Sequence, residues 1–318
     1  MNVHRNLDTL PLFSNAVITI GTFDGVHTGH QKIIQQLKEE AIKIGGETVI
    51  ITFHPHPRKI VGAKEIKLIN TLDEKIELLQ KQEIDHLVIV PFTEIFSQQT
   101  AENYIHDFLV KKFHPHTIII GYDHRFGKDR SGDYHLLERS SKKENYILKE
   151  IPVYVLNEIS VSSTQIREAI AVGDISGANE LLGYDFFFEG TVVEGNKLGR
   201  TIGFPTANLI IKDEEKLLPG NGVYAVQSSI VKDELSLDSP LAAHHSRKAM
   251  MNIGFRPTVD GTKKTIEVNI FDFDENIYGK TLRVFVKKFL RSEIKFNGVD
   301  ALKEQLAKDK EAAMNLKM

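Results

Sequence analysis

The sequence predicts an α/β protein of two domains: a parallel sheet covered by helices on both faces, then a small antiparallel β-barrel with a helix at its end. Two observations lead to this prediction. The first half of the 318 residues alternates short apolar runs with segments of helical spacing. Near residue 183 this pattern gives way to closely spaced short strands separated by Gly, Pro and Asn. The length and a hydrophobic fraction of 41% suffice for two buried cores.

The first half is a continuous strand and helix alternation. Apolar runs rich in β-branched residues predict strands at residues 16–20, 48–53, 87–90, 117–120 and 146–155. Helical spacing of apolar residues predicts a helix that starts near Thr28, followed by helices at residues 73–82, 101–112, 134–143, 164–171 and 175–182. Since the strands are apolar on both faces, we expect a parallel sheet with ligand sites at the carboxyl ends of its strands.

The second half has the pattern of a small barrel. Turn signals separate predicted strands at residues 186–193, 222–231, 248–253, 265–271 and 281–289, and residues 299–314 have the spacing of one closing helix. We expect domains at residues 1–183 and 184–318. The segment 235–247 is interpreted as a hairpin insertion or a mobile loop, without an assigned function.

Composition narrows the class of partner. A net charge of −3 gives no electrostatic footprint for nucleic acid or an anionic membrane. The absence of cysteine excludes disulfides, thiolate metal sites and cysteine nucleophiles, and it fits a reducing compartment. No stretch resembles a signal peptide or reaches 18 apolar residues. We therefore expect a cytoplasmic protein that binds small molecules, with no indication of its oligomeric state.

The most informative motif, GTFDGVHTGH at residues 21–30, joins the first predicted strand to the first helix. Three glycines let the backbone turn sharply and approach a ligand closely: Gly21, Gly25 and Gly29. A helix that begins near Thr28 points free N–H groups at this place and attracts anions. His27 and His30 share one face of the first turn and can donate to one phosphate. The alternatives are a helix-start histidine beside a surface histidine, or metal ligation by the pair.

Three further segments of the first half carry candidate residues. His54 and His56 follow the second strand in a proline-fixed loop, and the loop at residues 121–130 combines glycines with three cations that could wrap a triphosphate. Ordinary turns and a solvated charged loop are the alternatives. Ser162 and Gln165 match a capping box, which leaves Arg167 unexplained. A cation in a first helical turn is opposed by the helix dipole, so it indicates a bound anion or a surface ion pair.

In the second half, residues 195–201 lack the spacing of a P-loop. The Thr206 hydroxyl and the Asn208 carbonyl are hard ligands suited to Mg²⁺ that carries nucleotide phosphates, although the segment also has the composition of a turn. Glu267 lies on the strand face opposite Ile266, where it could be a general base or an exposed strand glutamate. Arg291 is a candidate for holding a ligand.

Taken together, the segments at residues 21–30, 162–167 (SSTQIR) and 199–208 (GRTIGFPTAN) resemble the prokaryotic bifunctional riboflavin kinase/FAD synthetases, and the match spans nearly the whole chain. The resemblance implies a Rossmann-like nucleotidyltransferase domain that joins FMN and ATP into FAD and pyrophosphate. It also implies a six-stranded barrel that makes FMN from riboflavin and ATP. Mg²⁺ with ATP is the implied cofactor, and riboflavin, FMN and FAD are substrates and products.

The resemblance also assigns roles to residues. His27, His30 and Glu267 are implied as catalytic, and Thr206 and Asn208 as the residues that hold the metal. The remaining candidate residues form two sets. The nucleotide- and phosphate-binding set is Gly21, Phe23, Asp24, Gly25, Gly29, Ser163, Thr164, Arg167, Gly199 and Arg200. The substrate-positioning set is His56, Asp123 and Arg291.

Two departures from the family pattern make neighbouring contacts less certain. His124 stands where many relatives have Phe, and Asn269 stands where His is frequent. Two other functions remain open at this point: an adenylyltransferase whose barrel only binds flavin, and a flavin or nucleotide sensor without turnover. The retained base and both histidines favour an enzyme over a sensor.

Overall fold

The computed structural model shows two compact units, Met1–Ser163 and Thr164–Met318. The residues that it describes are 1–62, 65–121, 124–151, 161–195, 197–231, 246–258 and 261–316, with side chains left out at 256–258 and 261–263.

The first unit is built on a six-stranded sheet in which every pair of neighbours is parallel. The order is β1-β4-β3-β2-β5-β6. The strands are β1 Asn2–His4, β2 Val17–Ile20, β3 Thr48–His54, β4 His86–Pro91, β5 Thr117–Gly121 and β6 Ile147–Ile151. This confirms the predicted parallel α/β fold. The sequence analysis missed β1, because three residues with one apolar side chain carry no strand period.

The expected helices of this unit begin within one residue of the predicted positions, and two short helices, Pro57–Val61 and Glu94–Ser97, were not predicted. The helices are α1 Thr28–Ile44, α2 Pro57–Val61, α3 Leu72–Gln80, α4 Glu94–Ser97, α5 Ala101–Asn103, α6 Lys111–Phe113 and α7 Tyr134–Glu144. A π-helical segment, Tyr104–Val110, joins α5 to α6. The segment expected as one α-helix at residues 101–112 therefore contains a π-helical stretch, whose turns are wider than those of an α-helix. Tyr104, Phe108 and Leu109 are buried there.

The strand order places the ligand edge of the sheet. From β2 the chain adds β3 and β4 on one side and then crosses to β5 on the other side of β2. In open α/β sheets, ligands bind outside the carboxyl ends of the strands where the order reverses. The loop that follows β2, residues 21–27, lies at this point.

The second unit contains a closed barrel with the order β10-β11-β8-β7-β12-β9, in which all neighbours are antiparallel. Its strands are β7 Phe187–Val193, β8 Ala207–Ile210, β9 Gly222–Val231, β10 Arg247–Thr258, β11 Gly261–Ile270 and β12 Thr281–Arg291. The six-stranded barrel is confirmed. The sixth strand is β8, a segment whose composition had also allowed a turn.

Four helices accompany the barrel: α8 Ser163–Val172, α9 Ile175–Leu182, α10 Leu198–Thr201 and α11 Val299–Met314. Two of them are hydrogen-bonded to the barrel region: Gly220 N, in the segment before β9, donates to Ile170 O of α8, and Asn179 Nδ2 of α9 donates to Val286 O of β12. The compact second unit therefore begins at Thr164. The expected domain boundary at residue 183 coincides with the left-handed cap that ends α9, Gly183, and it stays a prediction.

The interpretation of residues 235–247 as an insertion falls largely outside the described residues, which resume at Ser246. Arg247 is the first residue of β10.

The final helix, α11, is fixed to β12 by a buried ion pair. Arg291 Nη2 and Nε lie 2.7 and 2.9 Å from the Asp309 carboxylate oxygens. The side chain of Asp309 is 4% exposed and that of Arg291 is 17% exposed. Gln305 Nε2 donates to the same carboxylate. Removing one partner of such a pair leaves an uncompensated buried charge.

We expect Asp309→Ala to destabilise the barrel unit by about 3–5 kcal/mol, because the Arg291 guanidinium loses its buried counter-ion. Glu311→Ala, two residues further along the exposed side of the same helix, is the matched control and should stay within about 0.5 kcal/mol of wild type. Urea unfolding followed by circular dichroism measures both. Equal stabilities for the two variants would contradict the stabilising role of the ion pair.

Candidate functional sites

Two stacked histidines stand at the N-terminus of α1. His27 is the N-cap residue, and its Nδ1 accepts a hydrogen bond from His30 N at 3.4 Å. Their ring centroids lie 3.7 Å apart with an interplanar angle of 20°. Acceptance at Nδ1 places the ring hydrogen of neutral His27 on Nε2. His30 Nδ1 is buried and has no hydrogen-bond partner within the described part of the chain. The pair thus offers imidazole nitrogens at the positive end of a helix dipole.

The loop before the histidines has an unusual backbone. Phe23 and Val26 are buried and adopt positive φ angles of 48° and 37°, which L residues rarely adopt without support. Gly25 has φ of 92°. A Cβ at Gly29 would lie 3.2 Å from the His27 ring. The glycine at position 29 therefore allows the imidazole of His27 to pack close to the helix.

Asp24 anchors this loop. Its carboxylate, in a residue that is 1% exposed, accepts hydrogen bonds from Ile69 N at 3.1 Å and Asn70 N at 3.3 Å. Its backbone oxygen accepts from Ser163 Oγ at 2.9 Å. The structure thus brings Asp24 and Ser163 together. The Asp24 side chain therefore binds backbone amides of its own chain, a structural role that the motif alone does not show.

The electrostatics of the loop involve a lysine that the sequence analysis missed. Lys75 on α3 is buried, and its Nζ donates to Thr22 O at 2.7 Å. Burial lowers the pKa of Lys75, while Asp24 acts in the opposite direction. The pKa of His30 lies well below its usual range because of burial first, then the charges of His27 and Lys75. A helical position for Lys75 was predictable, but its direction toward Thr22 was not.

The other residues predicted for this site are spread over several elements of the chain. Gly21 N donates to Ile51 O at the end of β2. His56 is buried and caps α2, where its Nδ1 accepts from Arg58 N at 3.2 Å. Thr164 is exposed and Arg167 half-buried on α8, within the second compact unit. Asp123 lies outside the described residues.

An aromatic cluster near the ligand edge of the sheet was also missed. The Tyr104 ring, on the π-helical segment, stacks on Phe126 with centroids 5.1 Å apart and contacts Phe96 at 6.0 Å. Phe53 and Phe92, at the ends of β3 and β4, pack edge to face. Burial raises the pKa of Tyr104 well above its usual range. Phe92 and Phe96 are four residues apart, which was the available signal.

The second candidate site lies where β8 pairs with β11. The register sets Glu267 opposite Asn208, and the Thr206 hydroxyl donates to Glu267 Oε2 at 3.3 Å. On β11, Ile266, Val268 and Ile270 are buried and Glu267 is half-buried on the other face, as the alternation predicts. The structure therefore brings the proposed metal ligands and the proposed base to one place.

A cavity of about 460 Å³ adjoins Thr206. Arg200 and Pro205 line one part of it, and the segment 273–278 lines another. Gly199, on α10, packs against the segment that leads to Thr206, because Phe204 N donates to Gly199 O. A Cβ at position 199 would clash with Phe204 O at 2.2 Å, so this close packing requires glycine. The sequence analysis did not single out residues 273–278, whose turn-like composition has no strand or helix period.

Two residues named in the sequence analysis have specific partners in this unit. Asn269, which departs from the family pattern, donates from Nδ2 to Pro205 O at 2.6 Å. Arg291, expected to position a substrate, is held by Asp309 and also donates from Nη1 to Ser292 O.

The described residues contain no group of three or more His, Asp or Glu side chains placed to hold a metal ion. Among the described helices, none has the length and apolar character needed to cross a bilayer.

The two units together define the class of protein, a transferase that combines a parallel α/β sheet with a closed antiparallel barrel. Comparison with known proteins gives the family. A family model described as FAD synthetase matches residues 11–165, and one described as riboflavin kinase matches residues 182–317. The chain belongs to the family of bifunctional riboflavin kinase/FMN adenylyltransferases.

Curated relatives with that name match almost end to end. The protein of Haemophilus influenzae is 36% identical over 303 residues, which cover 95% of this chain and 94% of that protein. The Escherichia coli K12 protein is 36% identical, covering 96% and 93%. The Listeria monocytogenes protein is 37% identical, covering 93% and 91%. A solved structure titled as a macrolide-efflux protein from Streptococcus pneumoniae is 30% identical, with a TM-score of 0.85 and 99% of each chain covered.

The environment of His30 predicts a stability that depends on pH. Because its pKa is lowered in the folded chain, the unfolded chain binds more protons as the pH falls below 6.5. The stability that neutral His30 contributes is complete above pH 6.5 and is lost as the pH falls toward the folded pKa. We expect the urea midpoint of the first unit to fall between about pH 7 and about pH 5.5.

The control for this prediction is a comparison of two variants. His30→Gln should weaken the pH dependence, whereas His135→Gln removes an exposed histidine from α7 and should retain it. The same pH dependence in both variants would contradict a special contribution from His30.

Proposed function

We propose that this chain converts riboflavin to FAD in two ATP-dependent steps. The barrel unit phosphorylates riboflavin to FMN, and the α/β unit transfers the adenylyl group of a second ATP to FMN, with release of pyrophosphate. The observation that carries the first unit's role is the stacked pair His27 and His30 at a helix N-terminus, on the edge where the strand order reverses. The barrel's role follows from the contact between Thr206 and Glu267.

In the adenylyl transfer, an FMN phosphate oxygen attacks the α-phosphate of ATP, and the bond to the β-phosphate oxygen breaks. The imidazoles of His27 and neutral His30 donate hydrogen bonds to the phosphate oxygens as charge develops. The low pKa of His30 favours this neutral form. No covalent enzyme intermediate is required, because in-line transfer depends mainly on positioning and on neutralised charge.

Other residues of the first site have supporting roles in the proposal. The loop of Gly21, Phe23, Asp24, Gly25 and Gly29 lets the backbone approach the nucleotide closely. A second group contacts phosphates or places the substrates: Ser163, Thr164, Arg167, His56 and Asp123. The motif at residues 162–167 supports the assignment of Ser163, Thr164 and Arg167, and the family match over residues 11–165 supports that of His56 and Asp123.

In the kinase step, Glu267 accepts the proton of the riboflavin 5′-hydroxyl while that oxygen attacks the γ-phosphate of ATP, and ADP leaves. Gly199 and Arg200 lie on the short helix α10 beside the cavity and contact the nucleotide. Arg291, oriented by Asp309, positions the substrate.

The residues near Glu267 suit Mg²⁺. The Thr206 hydroxyl and the Asn208 carbonyl are hard oxygen donors, the type that this ion prefers, and the phosphates of ATP supply further oxygens. Mg²⁺ bound there neutralises phosphate charge. A cytoplasmic location, expected from the sequence, stays a prediction.

A product assay tests the proposed function. Purified protein is incubated with Mg-ATP and either riboflavin or FMN, and the flavins are separated by chromatography. FAD from riboflavin supports both activities. FAD from FMN alone would leave the barrel as a flavin-binding module, and no product from either flavin would indicate a sensor.

Replacing both histidines by alanine, His27→Ala with His30→Ala, should abolish FAD formation and let FMN accumulate. The reason is that the barrel site keeps all its residues while the α-phosphate loses its imidazole donors. Chromatography after incubation with riboflavin and Mg-ATP measures both products. Equal loss of FMN and FAD would contradict two separate sites.

Glu267→Gln should lower the rate of FMN formation by about 10²- to 10⁴-fold, since the amide keeps the shape of the side chain but cannot accept the proton. FAD formation from supplied FMN should not change. Glu311→Gln, an exposed position on α11, is the matched control. A Glu267→Gln enzyme with full riboflavin kinase activity would show that another group is the base.

A further inference from the structure

Lys75 is a buried charged residue that the mechanism above leaves without a role. It lies on α3 and is 6% exposed. Its Nζ donates to Thr22 O at 2.7 Å, and within the described part of the chain this oxygen is its one hydrogen-bond acceptor. An ammonium group has three N–H donors, so two of them have no described protein partner.

A buried ammonium with one neutral acceptor needs compensation. Burying an ammonium costs several kcal/mol unless it is paired with opposite charge. Asp24 attracts Lys75 electrostatically, and the Asp24 carboxylate also accepts hydrogen bonds from the amides of Ile69 and Asn70. Asp24 therefore compensates the buried charge of Lys75 in part, next to the loop that contains Asp24 itself.

Thr22 O, the acceptor of the Lys75 hydrogen bond, belongs to the loop between β2 and α1. Thr22 O also accepts from Thr52 Oγ1 at 3.1 Å, so two side chains from different elements hold one carbonyl. This carbonyl lies directly before Phe23, the first residue of this loop that has a positive φ angle. A strained backbone keeps its conformation only where its surroundings hold it. The loop that ends in His27 is thus held at its start by Lys75 and Thr52.

We propose that Lys75 is a positioning residue for the adenylyl transfer: it fixes the Thr22 carbonyl, and with it the loop that carries His27 and His30, and its charge acts on His30. This inference rests on the proposed adenylyl transfer and names a further residue on which that site depends. Lys75 acts through the loop and the imidazole.

The charge of Lys75 has a separate, measurable effect. The titratable groups that act on His30 are His27 and Lys75, and Asp24 in turn acts on Lys75. The positive charge of Lys75 disfavours protonation of His30 and so lowers its pKa. Removing the charge of Lys75 should therefore raise the pKa of His30, and this shift can be measured independently of the reaction.

The test uses the full chain with Lys75→Met, which keeps an unbranched apolar stem and removes the charge and the donors. FAD formation from FMN should fall about 100-fold, the effect expected from a small displacement of reacting groups. FMN formation from riboflavin, measured on the same sample, should not change. The imidazole titration of His30, followed by NMR and assigned with His30→Gln, should move to higher pH.

Lys264→Met is the matched control. Lys264 is a lysine of the barrel unit that donates to one backbone carbonyl, Pro219 O at 3.0 Å, and burial also lowers its pKa. This variant removes the same kind of bond, and FAD formation from FMN should stay at the wild-type rate.

The outcomes separate this inference from the proposed function. If the wild-type chain forms no FAD from FMN, the proposed adenylyl transfer is wrong. If it forms FAD and Lys75→Met does so at the same rate, or loses activity only with its folded fraction while the His30 titration stays in place, Lys75 has no positioning role. Should Lys75→Met fail to fold, Thr52→Val removes the other anchor of Thr22 O, and unchanged FAD formation in it would overturn the anchoring argument.

Discussion

The first unit depends on one constraint: a buried carboxylate must hold a strained loop between β2 and α1. Asp24 does this by accepting two amides from the segment before α3, while its own backbone oxygen receives the hydroxyl of Ser163. The positive φ angles of Phe23 and Val26 are compatible with a stable fold because of such anchors. These anchors hold the stacked histidines in place at the helix terminus, and fixed hydrogen-bond donors of this kind are what the proposed electrostatic catalysis requires.

The second unit reaches a comparable rigidity through strand pairing. The register between β8 and β11 sets Asn208 opposite Glu267, so the spacing of the site is a property of the barrel's hydrogen bonds. Because the barrel is closed, β8 cannot shift its register without disturbing β7 on its other side. A four-residue strand is therefore sufficient to hold Asn208 opposite Glu267.

The sequence predicted the fold well where periodicity was strong. The helices at Ile175–Leu182 and Val299–Met314 begin and end where expected, because apolar spacing marks both and Asp174 and Gly183 cap the first. It failed where a residue's partner is distant in the chain. β1 pairs with β4 across 84 positions, and neither the carbonyl that Lys75 contacts nor the amides that Asp24 accepts follow from local pattern. The motifs at residues 21–30 and 199–208 predicted where both sites lie, and that placement stays a prediction; they gave Asp24 a nucleotide-binding role and did not show that it anchors the loop.

The packing of α11 has a consequence for how the chain can be shortened. The helix covers an apolar surface formed by Ala225, Met250 and Phe271, and Lys248 Nζ donates to Met314 O and Leu316 O at the end of the helix. Proteolysis before residue 299 would uncover this surface and strand the Arg291 guanidinium. A trimmed barrel would then self-associate through the exposed patch, so the last sixteen helical residues serve as a solubilising cover as much as a structural brace.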